Sequence, residues 1–81
     1  MSIQNEMRRT QKINLEYKVK RLSGEIEHLT RIICLNLDRS MHRPEDLPVA
    51  EVDSQWDDLK SKWADLTIAR TEIKRLEEEL K

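Results

Sequence analysis

Six apolar residues recur through the first half of the chain at spacings of four, three, four, three and four: Leu15, Val19, Leu22, Ile26, Leu29 and Ile33. A beat of 3.5 residues keeps one stripe of a helix turned toward a neighbour, so this spacing predicts the a/d seam of a coiled coil. The chain is therefore built to lay long helices against other helices. The pattern does not say whose helices they are.

Composition agrees with that reading. Charged residues make up 38% of the 81 residues and aromatic residues 4%, with one Gly and no Phe. Such a chain suits solvated helices and is poor material for strands and tight turns, which makes the expected class all-α. A chain of this length buries a modest fraction of its surface, and the single Cys34 excludes an internal disulfide staple. Association with another chain is then the expected source of further burial. The opening stretch lacks an apolar run after its charges, so neither a signal peptide nor a membrane span is expected, and the compartment expected is the cytoplasm.

Two helices are predicted. The first starts near Ser2 and continues to about residue 40, with Gly24 at the outward f position of the heptad. Pro44 and Pro48 cannot continue a helical ladder and mark a connector over 41–53, in which Pro44-Glu45-Asp46 begins a short turn. Ser54, with Asp57 three residues on, resembles a capping box and predicts a second helix over 54–81. Its apolar positions are Trp56, Leu59, Trp63, Leu66, Ala69, Ile73, Leu76 and Leu80, again three and four apart. A connector centred near residue 47 folds the helices antiparallel and sets Trp56 against Leu37, Trp63 against Ile32 and Ile33, Leu66 against Leu29, Ile73 against Leu22, and Leu80 against Leu15. The expected fold is an antiparallel two-helix coiled-coil hairpin over residues 13–81, completed into a bundle by dimerisation or by a partner protein. Residues 1–12 are left as an N-terminal overhang.

Charge supports the pairing. Residues 1–43 carry nine Lys/Arg against five Asp/Glu, a net of +4, and residues 44–81 carry six against eleven, a net of −5. Two helices of opposite sign favour each other without an outside ligand. A competing arrangement comes from the β-branched residues at a (Val19, Ile26, Ile33) with Leu at d, a combination that favours parallel dimers, with the second helix packed outside or swapped to the mate. Asn36 falls at d, where a polar residue sets register. Arg70 and Glu77 fall at a unless the stripe shifts so that Ala69 and Leu76 take the seam.

The chemistry-bearing residues do not assemble into a site. Glu25 and His28 form the Glu-x-x-His pair that di-iron bundles use, but they sit at g and c, on opposite sides of the seam, and no second pair occurs. Cys34 reads as a small buried or half-buried hydrophobe. With no nucleophile-base pair and no Gly-rich phosphate loop, no enzyme, metal or other cofactor is expected, nor a small-molecule substrate. The expected role is a non-enzymatic protein-interaction module: an adaptor, regulator, inhibitor or chaperone, with itself (dimer or tetramer) or a helical protein as partner. The candidate contact residues are Ile3 and Met7 on the overhang, and Ile32, Leu35, Leu37, Trp56 and Trp63 where the apolar pattern thickens beyond what one partner helix can cover. The alternative is a dimeric nucleic-acid-binding regulator using Arg8, Arg9, Lys12, Lys20 and Arg21.

Overall fold

The computed structural model describes residues 3–80 and contains two long helices, α1 (Ile3–Asn36) and α2 (Val49–Glu79), joined by a connector with one 3-10 turn at Pro44–Asp46. They pack against each other as an antiparallel hairpin measuring 63 × 15 × 15 Å. The expected all-α hairpin is thus formed by the two helices of the chain.

Both helix boundaries at the connector differ from expectation, and local chemistry explains each. Helix α1 stops at Asn36 rather than near residue 40. The Asp38 carboxylate accepts from the Ser40 backbone N–H at 2.9 Å and from its hydroxyl at 2.8 Å, and the Met41 N–H turns back to the Asp38 carbonyl. These local bonds offer the backbone an alternative to the helical ladder. Arg43, ahead of Pro44, is extended, as the residue before a proline tends to be. Helix α2 begins at Val49, five residues before the expected start, with Pro48 at its cap. Pro48 has φ −78 and ψ 65, and the Val49 N–H reaches the Leu47 carbonyl at 2.8 Å. That is an inverse γ-turn, whose φ the proline ring presets. Ser54 therefore lies inside the helix and caps nothing, so the connector is 37–48 instead of 41–53.

Starting α2 earlier resets the seam. Leu66, Ala69, Ile73, Leu76 and Leu80 are all turned inward, and the same beat carried back lands on Lys62, Leu59, Gln55 and Val52, each half-buried. Ala69 and Leu76 are each 2% exposed while Arg70 and Glu77 are exposed, so the seam runs through the former pair as the shifted stripe requires. Trp56 and Trp63 do not belong to the seam: each lies one residue outside it, 49% and 61% exposed. The facing pairs expected from a connector centred near residue 47 are corrected accordingly. Asn36 meets Gln55, Glu25 meets Lys62, Lys12 meets Glu77 and Arg8 meets Glu79, which slides α1 by one to two turns relative to the expected register.

The slide also corrects the overhang. Arg8 lies 3.1 Å from Glu79, and Lys12 lies 3.6 Å from Glu77, so the basic start of α1 has intrachain partners where none was expected. The seam that results has a middle that is apolar except for Lys62, Leu15 to Ile33 against Leu59 to Leu80, and polar ends. At the connector end the Asn36 amide donates to the Gln55 carbonyl oxygen at 3.0 Å. At the far end the Arg8 and Lys12 ion pairs take over. Leu22 and Ile33 are the buried residues of α1, and Ala69 and Leu76 those of α2, a thin core for a chain of this size.

Candidate interaction face

Positions named from the seam organise the surface. With Val19 and Leu59 at a, the residues flanking the seam on one side are the e positions: Arg9, Glu16, Ser23, Thr30 and Leu37 on α1, and Val49, Trp56, Trp63, Arg70 and Glu77 on α2. In an antiparallel pair the two e edges border the same face. A groove of about 410 Å3 opens there, lined by Ile26, Thr30, Trp56, Leu59, Lys60 and Trp63. Its floor is seam residues and its wall is the two indoles. Val49, 67% exposed, and Leu37, 52% exposed, extend the apolar edge toward the connector. Farther from the connector the same face turns polar, and a shallower depression of about 540 Å3 is bordered by Val19, Thr67, Arg70, Ile73, Lys74 and Glu77.

The opposite face differs in kind. Lys62 emerges from the seam with its ammonium 3.6 Å from Glu25 and 3.4 Å from Asp58, keeping its alkyl stem against the core and its charge in water. Ile32, half-buried, follows Glu25 by one heptad on that side. Near the connector the hairpin therefore has one apolar flank and one ion-paired flank.

The expected contact residues are thus divided. Trp56 and Trp63 stand together on the apolar flank, with Leu37 at its connector end. Ile32 belongs to the opposite flank, and Leu35 points outward from α1, 53% exposed. Ile3 and Met7, also exposed, lie at the far end of a rod 63 Å long and share no surface with the tryptophans. Val49, Ile26, Thr30 and Leu59 were not expected at the site. The continuous beat from Leu80 back to Val52 was the sequence signal that places them there, and assigning the tryptophans to the seam obscured it.

The remaining chemistry-bearing groups also have definite positions. Cys34 is exposed, not buried or half-buried, because it occupies the outward b position one residue past the buried Ile33. His28 is exposed and Glu25 is engaged by Lys62. Among the described residues no group of three or more His, Cys, Asp or Glu is placed to hold a metal ion. Of the basic residues proposed for phosphate contact, Arg8 and Lys12 are engaged by Glu79 and Glu77, while Lys20 and Arg21 are exposed. Among the described residues no helix is long and apolar enough to cross a membrane. No protein-family profile, curated protein or solved structure matches the chain.

Proposed function

We propose that the chain is a non-enzymatic protein-interaction module that works by coiled-coil packing through the Trp56/Trp63 flank. The observation that carries this reading is two half-exposed indoles walling an apolar groove that is continuous with the seam. Tryptophan is the residue most enriched among the energetic anchors of protein interfaces, because it brings a large rigid area at little entropic cost. Both rings lie outside the seam, which Leu59, Leu66 and Leu76 continue without them. The nucleic-acid alternative is weakened by the carboxylates that engage Arg8 and Lys12, which lower the positive charge open to phosphate.

The test places a photoreactive benzoylphenylalanine at Trp63 and, in a control, at Arg31 on the outer face of α1, in the full chain in its own cells. Irradiation is expected to give a covalent protein adduct from position 63 and none from position 31. An adduct with the chain itself and an adduct with another protein both support the reading. Adducts equal at the two positions, absent from both, or formed with nucleic acid alone refute it.

A further inference from the structure

We infer that the occupant of the tryptophan flank is a second copy of the chain, related by a two-fold axis parallel to the long axis of the hairpin, so that both connectors lie at the same end of a four-helix bundle. The inference rests on the interaction reading above and names its partner.

Surface area gives the first argument. A compact monomer of this mass exposes about 5,100 Å2 by the usual scaling of surface with mass, whereas this chain of 9.7 kDa exposes 6584 Å2. The excess, about 1,500 Å2, is more than the ~800 Å2 that each partner contributes to a standard interface. The two tryptophans, 49% and 61% exposed, alone leave roughly 165–275 Å2 open, given the ~150–250 Å2 an aromatic residue can bury. A rod two helices thick has the surface of half a bundle.

Complementarity between the edges gives the second argument, and it selects the second copy. The ion pairs Arg8–Glu79, Lys12–Glu77 and Glu25–Lys62 fix which residues of α1 and α2 share a height along the rod. At those heights the e edges align as Leu37 with Val49, Thr30 with Trp56, Ser23 with Trp63, Glu16 with Arg70, and Arg9 with Glu77. Apolar matches apolar, small matches bulky, and each charge matches its opposite. A two-fold rotation about the long axis brings the α2 edge of one copy over the α1 edge of the other at unchanged height. The face is therefore complementary to itself along its whole length. Neighbouring helices in the resulting bundle are antiparallel, and the tryptophans of both copies enter the centre at the same level. A two-fold across the middle of the rod instead inverts the heights, setting Trp56 against Arg70 and Val49 against Glu77 and leaving only Trp63 matched, with its own mate. Net charge does not oppose pairing of like chains, because it is only −1.

The test uses the full chain. Light scattering over a concentration series is expected to give twice the chain mass, and donor and acceptor dyes on the exposed Cys34 in mixed samples should show efficient transfer, since the labels share one end. Arg70→Glu and Glu16→Arg place like charges across the interface, and each alone should weaken the dimer by roughly tenfold or more. Mixed in equal amounts, the two variants regain opposite charges at both positions only between copies, and the dimer should return. That return cannot come from pairing within either chain. A second pair of readings does not depend on these variants folding: Trp56→Ala with Trp63→Ala, at rings outside the seam, should give a monomer of unchanged helicity. A wild-type monomer into the high micromolar range, low transfer between dyes in a dimer, or failure of folded variants to recover on mixing overturns the inference. A monomer that still forms an adduct with another protein at position 63 removes the second copy and leaves the interaction reading standing.

Discussion

The Asn36–Gln55 layer offers the sharpest test of how the hairpin holds its register. The two amides are half-buried at d positions of facing helices and joined by one bond of 3.0 Å, the only polar bridge within the seam proper at the connector end among the bonds described. A neutral hydrogen bond contributes about 0.5–1.5 kcal/mol net, with partial exposure favouring the lower half of that range. A double-mutant cycle through Asn36→Ala, Gln55→Ala and both together should therefore give a coupling of about 0.5–1 kcal/mol. Equilibrium urea unfolding followed by far-ultraviolet circular dichroism measures it. Replacing both residues by Leu is a separate arm. Fully burying one Leu is worth about 1.5–3 kcal/mol, so two half-buried ones should raise stability by about 1–3 kcal/mol. The same change removes the polar match that distinguishes this register from its neighbours a heptad away. The double-Leu variant should then be more stable yet less uniform, with extra or broadened amide resonances at the connector end. A coupling indistinguishable from zero, or a double-Leu variant less stable than the parent with an unchanged spectrum, would refute the argument that this layer fixes register at a cost in stability.

Three further outcomes are expected. Gly24 lies inside α1 with nothing within 4 Å of where a Cβ would stand, so Gly24→Ala should stabilise by about 1 kcal/mol and raise the melting temperature by about 4–8 °C in a calorimetric scan; no rise would show that the position is not solvated helix. Leu76→Ala, at a seam position only 2% exposed, should cost about 2–3 kcal/mol, near the low end for buried leucines because only one helix covers it, whereas Ile68→Ala on the outer face should stay within about 0.5 kcal/mol; equal losses in urea melts would contradict the seam. Bonds from the Ser40 backbone N–H and hydroxyl hold the Asp38 carboxyl below its ordinary 3.8, so its contribution to stability is complete above that value and is lost as pH falls through the depressed folded one. Ser40→Ala removes only the hydroxyl, and an NMR titration should show the Asp38 carboxyl rising part of the way back; no movement would mean the backbone bond alone sets it.

The positions at which the structure departs from the apolar pattern share one cause. Trp56 and Trp63 fit the three-and-four spacing as well as Gln55 and Lys62 fit the polar exceptions, and hydrophobicity alone favours the tryptophans for the seam. The choice turns on polar residues finding partners across the chain: Gln55 finds Asn36, and Lys62 reaches Glu25 from within the seam. Those partners lie 19 and 37 positions away in sequence, so a local pattern cannot register them. The apolar flank is legible in the sequence as residues, both indoles and Leu37, but not as a surface. Ile32 lies on the opposite flank, and Cys34, next to the buried Ile33, faces outward.

Sequence by itself determined that this chain is helical, that its helices pair through a heptad seam, and that prolines near residues 44 and 48 divide them, because helical periodicity, opposite charge on the halves and the missing proline N–H all act within a few residues or through bulk attraction. Tertiary structure decided the register and therefore which flank is left apolar. Two heptad stripes slide past one another in steps of a turn with little change in apolar contact. The step is chosen only when Asp38 and Pro48 set the length of the connector and when Asn36 and Gln55 at one end, and Arg8 and Lys12 with Glu79 and Glu77 at the other, meet across space.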